Sequence, residues 1–298
     1  MDGVVNVYKP MGPTSHDIVD RVRRLFGQKR VGHAGTLDPM ATGVLVVCLG
    51  KATRIVEYLT NSQKEYRATM TLGVCTDSED STGAVMGESD ASGVSSDALK
   101  NAAERFVGEI DQIPPMISAL KHEGKPLYKH AREGKTIERA ARRVTIHSIE
   151  VTDFRPGERA EADMIVTCSS GTYIRTLCAD IGEALGCGAM MSKLERTRVG
   201  AFGIADAVSL EDLEIAPESH VTTIAAALGD MPCVEVDSAG ERRILHGMDA
   251  PADGAVSAGS TVRIVSDGEL IAIGLVAEDG ASVKPRKVLA EMGDQSGQ

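Results

Sequence analysis

The sequence predicts a mixed α+β body followed by a small β-rich appendage. Three observations carry that expectation. Short segments with period-two hydrophobic alternation recur along the first two thirds of the chain, and stripes at helical spacing are interleaved with them. Near residue 229 the texture changes to short strands with frequent Gly and Val. At 298 residues the chain exceeds what one hydrophobic core usually holds, so one large or two unequal domains are expected, and the change of texture divides it into 1–228 and 229–298. There is no internal repeat and no long low-complexity tract.

Taken in order, Val4 to Tyr8 reads as a strand ended by the rigid turn Lys9-Pro10-Met11-Gly12-Pro13. Ser15 is the expected N-cap of a helix whose stripe is Ile18, Val19, Val22, Leu25 and Phe26, with Gly27 as its stop. Gln28 to Gly43 reads as a polar, glycine-rich loop, and Val44 to Leu49 as a buried strand. Glu65 to Val74 alternates through Tyr66, Ala68, Met70 and Leu72, the pattern of a half-buried strand. Residues 76–95, rich in Asp, Ser and Gly, read as a surface loop. Asp97 opens a helix through Leu99, Ala103, Phe106 and Val107, stopped by Gly108. Val144 to Phe154 and Ala162 to Cys168 are two more strands, and Ile174, Leu177, Ile181 and Leu185 a helix stripe. In the appendage, Thr261 to Ala277 is a hairpin turning at Asp267-Gly268, with a short helix around Gly240 to His246.

Composition excludes several classes. Hydrophobic residues are 42% and charged residues 25%, ordinary for a globular protein, and aromatics are only 3% with no Trp. No stretch approaches the ~18 apolar residues of a membrane span. The N-terminus lacks the basic start and apolar run of a signal peptide, so a cytoplasmic location is the default. The six cysteines form no C-x-x-C pair and no zinc template, and are expected as buried free thiols. The net charge of −11 argues against a nucleic-acid partner until its distribution is examined. Residues 1–70 hold ten Lys/Arg against six Asp/Glu, and residues 111–150 eight against five, whereas residues 201–298 hold six against seventeen. Two N-terminal stretches are therefore locally basic and able to grip phosphate.

The segment Gly32-His33-Ala34-Gly35-Thr36-Leu37-Asp38-Pro39-Met40-Ala41-Thr42-Gly43 is the most unusual, with three glycines and a proline in twelve residues fixing its backbone around one carboxylate. Pro39 biases Asp38 to extended geometry. From the residues alone Asp38 is either a turn cap or a functional carboxylate mounted on a loop. A phosphate-binding reading of Gly50-Lys51 fails, because Ala52 and Leu45 stand where Ser/Thr and the first Gly are needed. His33 and Asp38 lack the second ligand pair of a zinc hydrolase, and no nucleophile-elbow or dinucleotide fingerprint is present.

That loop closely resembles the catalytic loop of the TruB family of tRNA pseudouridine synthases. Four further segments resemble the family in the same order. They are Lys9-Pro10-x-Gly12-x-Thr14-Ser15, then Lys64-Glu65-Tyr66, then Ile113 to Lys121 continuing through Gly124-Lys125-x-Leu127-Tyr128-x-x-Ala131-Arg132-x-Gly134, and finally Gly171-Thr172-Tyr173-Ile174-Arg175. The similarity spans roughly residues 3–215. It implies a pseudouridine synthase catalytic fold, a mixed and mainly antiparallel sheet flanked by helices, with an RNA-binding insertion at about 114–145 and a PUA-like C-terminal domain.

The resemblance also implies an activity: isomerisation of uridine 55 in the T-loop of tRNA, by glycosidic cleavage, base rotation and rejoining through carbon. No metal or other cofactor is called for. Asp38 is implied as the catalytic carboxylate, Arg175 as the guanidinium that keeps it ionised, and Tyr66 as the ring against the extruded base. His33 is implied to fill the space left by the flipped nucleotide. Lys9, Lys64, Leu194, Tyr173, Lys121, Lys125 and Arg132 are implied as RNA-side residues, the first two bonding backbone or phosphate near the pocket and Leu194 forming its wall. The partner is the T-arm of tRNA, the default assembly a monomer. Two rival readings are a catalytically silent tRNA-binding or folding factor on the same scaffold, and a hydrolase.

Overall fold

The computed structural model describes residues 1–118, 120–122, 124–135, 137–252 and 254–290, with the backbone alone for Lys121, His122, Tyr128, Ala131 and Arg132. Ala119, in the Ile113 to Lys121 motif, lies outside the described residues.

The body is built on one large sheet. Its strands lie in the order Val221–Thr222, Gly3–Lys9, Thr42–Leu49, Ala189–Val199, Lys64–Leu72, Glu161–Cys168, Arg142–Arg155 and Gly108–Gln112. Neighbours are antiparallel except Ala189–Val199 beside Thr42–Leu49, which meet in parallel at Glu195↔Thr42 and Arg196↔Gly43. Alternation places Tyr66, Ala68 and Met70 on one face, where they pack with Leu177, Cys178 and Ile181 of the Ile174–Ala184 helix. On the Gly3–Lys9 and Thr42–Leu49 strands, Val5, Val7, Leu45 and Val47 face the Ser15–Leu25 helix through Ile18, Val19 and Val22. Their opposite faces, Val4, Val44, Val46 and Cys48, join a separate cluster.

The C-terminal residues form a five-stranded sheet in the order Cys233–Glu235, Thr261–Ser266, Glu269–Val276, Ser282–Val288, Ala250–Pro251. The hairpin turns where expected, with Asp267 and Gly268 both at positive φ. Its own core includes Val234, Ile244, Val262, Ile264 and Val283. Ile273 and Leu289, however, pack with Val4, Ala34, Val44 and Val46 of the body. None of the described helices is long and apolar enough to cross a membrane.

Several expectations need correction. Thr14, not Ser15, caps the first helix: its side chain accepts from Asp17 N–H while the Asp17 carboxylate accepts from Thr14 N–H. The loop from Gln28 contains the strand Val31–His33, paired to Thr42–Leu49. Ser95 caps the Ser96–Glu104 helix one residue earlier than read, and Gly108 opens a strand. Residues 76–95 are not a simple surface loop: Val85–Glu88 pairs with Val74–Thr76, and Ser78 and Asp80 are buried. The long strand Ala189–Val199 was not anticipated. All six cysteines are free thiols, but Cys75 and Cys233 are exposed.

Candidate active site

The Gly32 to Gly43 segment leaves the sheet at one strand and returns at the next, so its two ends are anchored and its middle is held by side chains. Ser15 Oγ donates to Leu37 C=O at 3.0 Å and accepts from Leu37 N–H at 2.9 Å. Gly12 N–H donates to Pro39 C=O at 2.8 Å, and the Lys9 ammonium to Ala41 C=O at 2.7 Å and Pro10 C=O at 3.1 Å. From the other side Arg196 donates to the carbonyls of Gly35, Thr36 and Val44. These bonds account for the Lys9-Pro10-x-Gly12-x-Thr14-Ser15 motif: it is the bed on which the Asp38 loop lies.

Asp38 emerges from that bed beside Arg175, whose Nε is 3.1 Å from Asp38 Oδ2. Arg175 projects from the first turn of the Ile174–Ala184 helix and is buried. Its Nη1 lies 3.3 Å from Asp80 Oδ2 and donates to Ser78 C=O, and its Nη2 donates to Ile117 C=O at 2.9 Å. Asp80 is fixed in turn by Ser78 Oγ, Thr82 N–H and Thr82 Oγ1, all on its Oδ1. The backbone of Tyr173, before the arginine, is clamped by the buried Gln112 amide in both directions at 2.8 and 3.0 Å.

A cavity of about 500 Å³ opens over Asp38, lined among others by His33, Lys64, Tyr66, Tyr173, Arg175, Leu194 and Arg196. Of the residues marked in the sequence, Asp38, Arg175, Tyr66, His33, Lys64, Tyr173 and Leu194 therefore meet at one site. Lys9 does not line it. It is fully buried beneath the loop, and of its two expected partners, backbone or phosphate, the structure gives it backbone. Lys64, also buried, donates to Thr60 and Ser62 C=O. Lys125 lies away from the cavity in the insertion, ion-paired with Glu133. The side chains of Lys121 and Arg132 lie outside the described residues.

Electrostatics modify one expectation. Burial lifts the Asp38 carboxyl above its ordinary range; Arg175 opposes the lift, and Asp80 adds to it. The guanidinium therefore offsets the cost of ionisation without overcoming it. Burial lowers Lys9 and Lys64 to about 8. Burial, with His16 and Arg196, lowers His33 to about 4, leaving a neutral imidazole that meets the His16 ring edge-on at 5.5 Å. Burial raises the Tyr66 phenol, and Arg196 opposes that rise.

Asp80, Gln112 and Arg196 were missed. Arg196 had a signal, its place two residues after Leu194 in Lys193-Leu194-Glu195-Arg196-Thr197. Asp80 had none, since its stretch is as polar as a solvated loop.

Comparison with known proteins agrees with this geometry. Residues 23–174 match the model of the TruB family pseudouridylate synthase N-terminal domain, and residues 175–231 that of the tRNA pseudouridylate synthase B C-terminal domain. A tRNA pseudouridine synthase B from Symbiobacterium thermophilum is 51% identical over 85% of this chain and 84% of its own. The protein of that name from Ralstonia pickettii is 43% identical over 96% of this chain and 94% of its own. Among solved structures, a Cbf5–Nop10–Gar1 complex matches with TM-score 0.76 and 30% identity, covering 97% of this chain and 85% of the matched one.

Proposed function

The chain belongs to the TruB family of pseudouridylate synthases, and we propose that it converts uridine 55 in the T-loop of tRNA to pseudouridine, with Asp38 as the catalytic carboxylate. The observation that carries the residue assignment is the Asp38–Arg175 contact at 3.1 Å on the wall of a cavity of about 500 Å³.

The net reaction breaks the C1′–N1 bond and forms a C1′–C5 bond; N1 gains a proton and C5 loses one. Asp38 Oδ2 is ion-paired with Arg175 Nε, and the side chain, 37% exposed, remains open to a ligand. A carboxylate so placed can attack the sugar, attack the base, or take a sugar proton, and each route uses the ionised form. Reaching the cavity requires the uridine to leave its stack, at roughly a few kcal/mol. Tyr66 and Leu194 offer the extruded base a ring and an apolar wall, and the neutral His33 imidazole a group for the vacated space. The basic insertion supplies phosphate contacts from Lys125, Lys129 and Arg139. Residues 1–228 then serve as the catalytic domain and 229–298 as its PUA-like companion. A silent RNA-binding factor would have no use for a carboxylate braced by a buried arginine.

The test is tritium release from unmodified tRNA labelled at uracil C5. Wild type is expected to release the label, and Asp38→Asn to fall by roughly 10⁴-fold or more in single turnover. Release by Asp38→Asn near the wild-type rate sinks the assignment.

A further inference from the structure

Arg196 is buried, at 1% exposure, yet among the described residues it forms no ion pair. A buried guanidinium without a counter-charge is costly, and an apolar side chain of similar length would serve packing better. What Arg196 does with its donors is specific. Nε donates to Val44 C=O at 2.8 Å, Nη1 to Thr36 C=O at 3.3 Å and Nη2 to Gly35 C=O at 3.0 Å. Gly35 and Thr36 lie on the arm of the loop entering Asp38, and Val44 on the arm leaving it. One planar fork thus spans both arms.

The backbone of the same residue closes the junction. Arg196 registers opposite Gly43 in the parallel pair, and a Cβ on Gly43 would lie 2.2 Å from Arg196 C=O. Gly43 also has φ +101°, a conformation that leaves room only for glycine. The Asp38 loop is consequently locked to the Ala189–Val199 strand by both main chain and side chain. That strand also carries Leu194 in the cavity wall and pairs with the strand of Tyr66, at Arg196↔Tyr66.

We infer that Arg196 is a positioning residue for the isomerisation, fixing the two arms of the loop so that the Asp38 carboxylate stands in register with Tyr66 and Arg175 before RNA arrives. This rests on the isomerase reading above. It concerns the reaction step, because three of the five guanidinium N–H groups are held by the backbone carbonyls of the loop itself.

The experiment compares wild type, Arg196→Lys and Arg196→Met on C5-tritiated tRNA. Single-turnover rate per folded molecule and tRNA Kd are measured together, with circular dichroism to count folded protein. Lysine keeps the charge but cannot span three carbonyls, so its rate should fall about tenfold, and that of methionine about 10²-fold, the size expected from a misplaced reacting group. Kd should stay within about twofold in both. If Arg196→Met does not fold, the lysine variant decides alone. Rates of the folded variants within about threefold of wild type, or Kd weakening in step with the rate, overturn the inference. A wild type that releases no tritium overturns the isomerase reading and this inference with it, whereas an active wild type with unaffected variants overturns this inference alone.

Discussion

Arg175 Nε lies 3.1 Å from Asp38 Oδ2, and the same guanidinium is braced behind by the buried Asp80 at 3.3 Å. The arginine is thus oriented before it meets Asp38, and its planar fork leaves little rotational freedom for the contact to drift. The arrangement has measurable consequences, as do the titrations and the tight backbone around it.

Asp80→Asn removes the buried counter-charge of Arg175 while keeping the shape of the side chain. Breaking one half of a buried ion pair should cost about 3 kcal/mol of stability. The single-turnover rate should fall roughly 10²-fold as Arg175 loses its brace. Urea unfolding and tritium release read the two effects separately; an unchanged rate means that Arg175 is oriented by the Ser78 and Ile117 carbonyls alone.

The rate should describe a bell in pH. Activity rises as Asp38 ionises, above the ordinary carboxyl value of 3.8 because burial raises it. It falls above about 8, where Lys9 and Lys64 lose protons. Stability moves the other way on the alkaline side. Lys9 titrates near 8 when folded and 10.5 when unfolded, so between these values the unfolded chain holds more protons and stability rises with pH. Wild type should therefore gain stability relative to Lys9→Met from about pH 8 to 10.5 while losing rate over the same window. A rate independent of pH between 7 and 10 contradicts the role given to the two buried ammonium groups.

Gly43→Ala places a Cβ against the Arg196 carbonyl and forces an L residue to φ +101°. A loss of about 3 kcal/mol or more is expected in urea unfolding. A substitution tolerated within about 0.5 kcal/mol would show that the loop can leave the strand at little cost.

Salt dependence of tRNA binding should distinguish two lysines of the insertion. Lys125 is already neutralised by Glu133, whereas Lys129 is exposed and forms no ion pair among the described residues. Lys129→Gln should reduce the slope of log K against log salt by roughly 0.7–0.9, and Lys125→Gln by less. Equal slopes for both variants would show that RNA displaces Glu133.

The legible parts of this fold are those whose chemistry and burial agree. The strands through Tyr66 and through Val44 to Leu49 alternate or run apolar, and the helix of Ile18 and Val22 carries an unbroken stripe. The Ala189–Val199 strand escaped because Arg196 and Thr197 are buried polar residues that interrupt its pattern. Ser78 and Asp80 escaped for the same reason: they are polar because Arg175 needs acceptors, and that need arises 95 positions away from Asp80. Asp38, Tyr66 and Arg175 were legible through motif resemblance. Their mutual distances were not, since the contact joins a loop to a helix far along the chain.

The apolar seam beneath the loop has a consequence for how the molecule comes apart. Ile273 and Leu289 of the C-terminal sheet share a cluster with Ala34, Val44 and Val46, which flank the Asp38 segment on either side. Clipping the chain before residue 229 would strip Ile273 and Leu289 from that cluster and open it to water. Body and C-terminal sheet should therefore melt as one cooperative unit, with a single transition in thermal unfolding.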